Sequence, residues 1–348
     1  MFLTPSTALS YLRQRGITTA EWVSKGEWEV TVHESRNTLY FVRAGSLLLT
    51  LKQAGDGRGE KRQSLLREAE WYWLAQNDQR LKRLKSLLPR VYSWDPERSI
   101  FVMETIRGKS MLGLPREKRY HPARARGLGE AMAMVHEECR GLVSATDLGY
   151  QFSRTLPSFL SAPRSAHESV DNTSIPRAQR EYLAVLRKYP EFEPPLEKLR
   201  ESWQAETLIH SDWKLGNCLV DGDDAEAAPH IIDWELLRCG DSLWDAATLM
   251  QSYWSGWTER PDSRLLADVR GALAAFWGAY AAGRGWDEAE TETRRERAML
   301  LAGARMLQSV WESTANQKAL RPADVRMLQM SLNILCDPGP AIEEFFEA

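Results

Sequence analysis

Short runs rich in Val, Leu, Tyr and Thr dominate the chain between residues 28 and 53: WEVTVHE, TLYFVRA and SLLLTLK. Runs of this composition fit a pleated, half-buried surface and predict an antiparallel sheet. Polar breaks at Ser35-Arg36-Asn37 and Ala44-Gly45 predict its turns. After a loop rich in Gly and charge, the stretch from Ser64 to Gln76 takes helical composition, with Leu65, Ala69, Tyr72 and Trp73 close to one face. SIFVME, from Ser99 to Glu104, predicts one more strand. Beyond Arg107 the pattern turns mainly helical: a helix from Ala123 to Cys139, then a polar, Pro-containing stretch over 156–175. Two short apolar strands, ETLIH and HIIDW, flank the loop HSDWKLGN, and a turn at Asp221 to Asp224 leads from CLV into the second. From Leu243 to Phe346 several helices are expected, broken near Arg260-Pro261, Gly283 to Gly285 and Arg321-Pro322. The class is α+β, β-rich first and helical after.

Composition narrows what such a chain does. It has 348 residues, 43% of them hydrophobic and 27% charged, enough to bury a large core without disulfides or a structural metal. The formal charge of −3 gives no electrostatic reason to expect nucleic acid as a partner. Cys139, Cys218, Cys239 and Cys336 stand far apart, with no spacing suited to zinc. No long apolar run suggests a membrane span, and no basic leader precedes an apolar stretch. The expectation is a soluble, cytoplasmic protein.

The sharpest chemical signal is His210-Ser211-Asp212-Trp213-Lys214-Leu215-Gly216-Asn217, followed by Ile232-Asp233-Trp234-Glu235. Phosphoryl transfer to an alcohol needs a carboxylate beside the nucleophilic hydroxyl and oxygen ligands for the magnesium that bridges the phosphates. Asp212 can supply the base, Asn217 one magnesium ligand, and Asp233, at the end of the next strand, the metal-holding carboxylate. Read singly, His-x-Asp occurs by chance, and acids after strands often only cap helices. The two motifs in this order resemble the aminoglycoside phosphotransferase and choline kinase superfamily, relatives of protein kinases. Gly240-Asp241-Ser242-Leu243-Trp244-Asp245 extends the resemblance, with Ser242 where the family commonly has Pro.

That resemblance implies a bilobal, protein-kinase-like α+β fold: a nucleotide-binding lobe over 1–104, a hinge at 104–108 and a larger catalytic and acceptor-binding lobe over 105–348. It implies Lys52 as the residue gripping the nucleotide phosphates, partnered by Glu68 or Glu70 of REAE, with Glu68 preferred. Glu104 and Ile106, in VMETIRG, would meet adenine through their main chain. A GxGxxG loop is missing. Ser35 and Asn37, in the short loop between the first two strands, stand where the phosphotransferase branch cradles phosphate. His136, His210 and Asp245 are expected to be structural, the last two tying down the catalytic loop.

The implied cofactors are Mg2+ and ATP or GTP, and the implied acceptor is a hydroxyl of a small molecule or peptide. One branch of the superfamily phosphorylates Ser or Thr of ribosomal peptides alongside a separate lyase, so a protein partner is one alternative. A pseudokinase that binds nucleotide or a partner without catalysis is another, and a phosphohydrolase or nucleotidyltransferase is a third. The acids Asp287, Glu288, Glu290 and Glu292 alternate with Arg294, Arg295 and Arg297 and read as a solvated helix face, which disfavours a polycationic aminoglycoside. Trp254, Trp257, Trp277, Trp286 and Trp311 are expected mostly in the core.

Overall fold

A computed structural model of the chain describes residues 2–19, 21, 25–34, 37–55, 59–143, 152–161, 175–220 and 222–347. It divides into two compact units: Met1–Gly108 with His230–Leu237, and Lys109–Pro229 with Arg238–Ala348. Ser35, Arg36, Asp221 and most of the stretch 156–175 lie outside the described residues.

The first unit is built on a five-stranded sheet in the order β1-β2-β3-β5-β4, from β1 (Trp28–Glu34), β2 (Asn37–Ala44), β3 (Leu47–Ala54), β4 (Val91–Asp95) and β5 (Ile100–Glu104). Every pairing in it is antiparallel. Asn37, expected in the turn, is the first residue of β2 and pairs with Ala54.

Alternation along β3 sends successive side chains to opposite faces. Leu49 and Leu51 join Tyr40, Val42, Ile100 and Val102 in a core with Ala8, Tyr11 and Leu12 of helix α1 (Pro5–Gln14). The expected pattern lacks α1, although Thr4 and Thr7 close a capping box around its Pro-led first turn. It also lacks β4, a five-residue strand between prolines.

On the other face of β3, Lys52 stands opposite Phe101, whose ring meets Tyr72 of helix α2 (Glu60–Asn77). The buried side of α2 carries Leu65, Glu68, Ala69, Trp71, Tyr72 and Ala75. Trp73, expected on that side, is 49% exposed. At about 100° per residue the buried stripe is centred near Glu68 and Tyr72, and Trp73 falls well outside it. Taking Glu68 for a surface residue would displace the whole face.

The second unit is mainly helical. Its strands form two short antiparallel pairs, β6 (Lys109–Ser110) with β8 (Cys218–Val220), and β7 (Thr207–Ile209) with β9 (Arg238–Gly240). Around them pack α3 (Pro122–Arg140), α4 (Arg177–Lys188), α5 (Glu193–Glu201), α6 (Ser242–Glu259), α7 (Ser263–Arg284), α8 (Glu288–Thr314) and α9 (Pro322–Cys336). The breaks between α6, α7, α8 and α9 fall where Pro261, Gly285 and Pro322 predict them. Gly285 takes the left-handed φ of +68° that ends α7.

Trp254 and Trp277 are buried, while Trp257, Trp286 and Trp311 are half-buried. Asp287, Glu288, Glu290 and Glu292 are exposed, but Arg294, Arg295 and Arg297 are half-buried, and Arg297 donates to the buried Asp241 at 2.6 Å. That arginine side is therefore part of the packing. Among the described residues no helix is long and apolar enough to cross a membrane.

Candidate active site

In the first unit the ammonium of Lys52 lies 2.6 Å from Glu68 Oε2 and 2.7 Å from Asp233 Oδ1. Lys52 and Glu68 are almost wholly buried, while the Asp233 side chain keeps 38% exposure. Glu70, two residues along α2 from Glu68, points to solvent. Of the two acids left open by the sequence, Glu68 is thus the one that reaches the lysine.

Two charges out of water are costly unless well paired, and here one cation meets two carboxylates. Burial works to lower the Lys52 pKa, but Glu68 and Asp233 together overcome it and hold the value above its ordinary one. Burial pushes the Glu68 carboxyl up to about 7, with Lys52 opposing and Asp233 adding to the rise.

Asp233 takes a left-handed conformation, φ 69° and ψ 52°. A non-glycine residue held there carries a local strain of about 1–3 kcal/mol, of the kind that clusters at functional sites. Its neighbour Trp234 pins the segment, with the indole N–H donating to Ile231 O at 2.9 Å and the ring 5.0 Å from that of Trp71. Asn37 Nδ2 donates to Glu235 Oε2 at 3.4 Å, so this side chain lies beside the Asp233 segment.

At the end of β5 the Glu104 N–H donates to Arg90 O at 2.8 Å. The Ile106 main chain makes no backbone hydrogen bond among the described residues.

In the second unit the loop after β7 is fixed from below by Asp245, on the first turn of α6. Its buried carboxylate accepts the N–H groups of His210 at 2.7 Å and Ser211 at 2.8 Å. The Trp244 indole adds a bond to Ser211 O at 3.3 Å, and Ser211 itself has φ 70°. His210 Nδ1 accepts the Asp212 N–H at 3.2 Å.

A second layer supports Asp245. Arg284 donates to the Tyr280 hydroxyl at 2.7 Å, so that hydroxyl is left to donate to His136 Nδ1 at 2.9 Å, and His136 Nε2 to donate to Asp245 at 3.2 Å. Burial lowers the His136 pKa against the pull of Asp245, which suits this neutral tautomer. Gly240, closing β9, is closely packed: a Cβ there would lie 2.3 Å from Ile209 Cδ1 and 2.9 Å from its Cγ1, so the Ile209 side chain would have to shift.

Asp212 Oδ2 accepts from Lys214 at 2.6 Å and from Asn217 Nδ2 at 3.3 Å, and its Oδ1 accepts from Arg305 at 3.3 Å. Asn217 Nδ2 also donates to Asp212 O at 2.9 Å. With its nitrogen used as the donor, the Asn217 side chain keeps its carbonyl oxygen as an acceptor.

A hard cation such as Mg2+ takes oxygen ligands and keeps waters and substrate phosphates in its shell. The partly exposed carboxylate of Asp233 in the first unit and the side-chain amide oxygen of Asn217 in the second are each donors of that type. Among the described residues no cluster of three His, Cys, Asp or Glu offers an all-protein cage instead. Arg305 and Lys214 lie outside the expected site set. Lys214 is inside the motif itself, whereas nothing local in the sequence points to Arg305.

Residues 21–289 match the phosphotransferase enzyme family, APH. Among solved structures the chain is similar to the ethanolamine kinase of Plasmodium vivax, at 13% identity over 99% of this chain and 91% of that one, with a TM-score of 0.57. It is similar to the aminoglycoside phosphotransferase APH(4)-Ia in ternary complex with ADP and hygromycin B, at 13% identity over 95% and 98% of the two chains, with a TM-score of 0.56. A third is the choline kinase LicA of Streptococcus pneumoniae, at 16% identity over 93% and 99%, with a TM-score of 0.50. At these identities the likeness is one of fold, the kinase-like α+β fold that the sequence predicts. No curated protein matches by sequence.

Proposed function

The chain belongs to the phosphotransferase (APH) enzyme family, and from that premise we propose that it transfers the γ-phosphoryl group of ATP or GTP to a hydroxyl of a small molecule. Asp212 accepts the hydroxyl proton as the oxygen bonds to the γ-phosphorus and the bond from that phosphorus to the β-phosphate oxygen breaks. Asn217 and Asp233 hold magnesium, which supplies charge neutralisation across the phosphates when bound. Lys52, kept in place by Glu68, pairs with phosphate oxygens. The main chain at Glu104 and Ile106 meets the adenine edge, and Asn37 borders the phosphates; Ser35, expected beside it, lies outside the described residues.

The observation that carries this reading is the buried Lys52 ammonium held between Glu68 at 2.6 Å and Asp233 at 2.7 Å. A solvated surface lysine does not need two acids. A lysine whose position must be fixed for an incoming polyanion does. The structurally similar proteins are named for ethanolamine, choline and aminoglycosides, compounds that each bear a hydroxyl and a cationic nitrogen.

The test is magnesium-dependent nucleotide consumption against amino alcohols, amino sugars and Ser/Thr peptides, with Asp212→Asn alongside. The variant is expected to lose about 10²–10⁴-fold in turnover, the usual share of a general base, and to keep its nucleotide affinity. Normal turnover by the variant would remove Asp212 from its role. Acceptor-independent binding without turnover would turn the reading toward a catalytically silent scaffold.

A further inference from the structure

The base is held by more than its own loop. Arg305, 93 residues further along the chain on α8, donates from Nη2 to Asp212 Oδ1 at 3.3 Å. Arg305 is buried, with 4% of its surface exposed. Its other terminal nitrogen is tied one turn on to Ser309 Oγ at 2.7 Å, and further along to Glu312 Oε2 at 3.3 Å. Ser309 in turn donates to Gln251 Oε1 of α6 at 3.0 Å. The guanidinium is thus tied to its own helix, and through Ser309 to α6, before it touches Asp212.

The opposite carboxylate oxygen, Oδ2, is engaged by Lys214 and Asn217 from the loop. None of the roles assigned above accounts for a buried arginine at this place. An ion pair taken out of water is weak as a stabilising device compared with apolar packing of the same volume. What a planar guanidinium offers is a fixed direction, which a lysine does not.

We propose that Arg305 is a positioning residue for the phosphotransfer base. It sets the orientation of the Asp212 carboxylate, so that of roughly four acceptor directions on the two oxygens a vacant one on Oδ1 faces the acceptor hydroxyl. The proposal rests on the phosphotransferase reading and goes beyond it. The base is aligned by a side chain of the distal helix as well as by the motif that contains it.

The experiment compares wild type, Arg305→Met, Arg305→Lys and Asp212→Asn by steady-state kinetics in nucleotide and acceptor, with nucleotide binding measured separately. Arg305→Met is expected to lose about 10²-fold in kcat, the scale of a misplacement of about 1 Å, with the nucleotide KM and Kd within about twofold. Arg305→Lys, which keeps the charge without the planar fork, is expected to fall between the two. It also carries the test if the methionine variant fails to fold. A folded Arg305→Met or Arg305→Lys with wild-type kcat overturns the proposal and leaves Asp212 in its role. A fall in kcat matched by an equal fall in nucleotide affinity points to damaged structure and overturns it as well. If wild type shows no turnover that Asp212→Asn removes, it is the phosphotransferase reading that falls.

Discussion

Lys52 and Glu68 show how one buried residue sets terms for another. Glu68 has almost no solvent, so its charge is sustained only by the lysine, and burial pushes its carboxyl up to about 7 from an ordinary 4.5. A group whose folded pKa lies above its unfolded one binds more protons in the folded chain between those two values. The stability it contributes is therefore fully present below about 4.5 and declines as pH rises toward about 7. Glu68→Gln removes the titration and keeps the shape. The stability of wild type relative to Glu68→Gln, from denaturant unfolding, is expected to fall between pH 5 and 7 and then to level off. A difference that stays flat over that range would mean that Lys52 keeps Glu68 ionised throughout, and that the paired charge dominates its burial.

Among the elements, α3 and α7 illustrate packing decided by the smallest residues. A Cβ added at Gly129 of α3 would lie 2.4 Å from Phe276 O and 2.9 Å from Tyr280 N, both main chain of α7. Backbone cannot step aside as a flexible side chain does, so Gly129→Ala is expected to cost about 1–3 kcal/mol by overpacking. Gly271, exposed on α7, has nothing within 4 Å of such an atom. Gly271→Ala is expected to stabilise by about 0.4–1 kcal/mol, through the lost freedom of the unfolded chain. Thermal unfolding of both variants would check the pair, and opposite signs are the expected outcome.

The elements themselves were largely legible because hydrophobic period and Pro or Gly punctuation are local signals. The strands around Lys52 and the breaks between α6 and α9 follow from them. Trp73 was misplaced because Leu65, Ala69, Tyr72 and Trp73 fall at i, i+4, i+7 and i+8, which suits a helix face centred on Ala69. The stripe of α2 is instead organised around a buried Glu68, whose burial depends on a lysine from strand β3. No local pattern contains that dependence. The strand β4 escaped because five residues between prolines carry too little alternation to announce a strand.

Across the whole molecule, the chemistry was legible where it is contiguous and hidden where the fold assembles it. HSDWKLGN and IDWE announce phosphoryl transfer because the acids and the amide that the chemistry calls for stand in two short motifs close together along the chain. That residues 230–237 join the first unit, with Asp233 beside Lys52, is a product of tertiary structure. Arg305 is hidden for a similar reason, since an arginine on an amphipathic helix reads as surface. The assembled site makes a thermodynamic prediction. A ligand that binds only the folded chain stabilises it by RT ln(1 + [L]/Kd), about 2.7 kcal/mol at a hundredfold excess over Kd. With magnesium and ATP at that excess, the melting temperature of wild type is expected to rise by several degrees, and by less than half as much when magnesium is left out. Asp233→Asn is expected to lose the magnesium-dependent part, because the metal loses its carboxylate. Asp212→Asn is expected to keep the full rise, because a base that meets the acceptor contributes little to holding the nucleotide. If the two variants behaved alike, the division of labour between Asp212 and Asp233 would have to be redrawn.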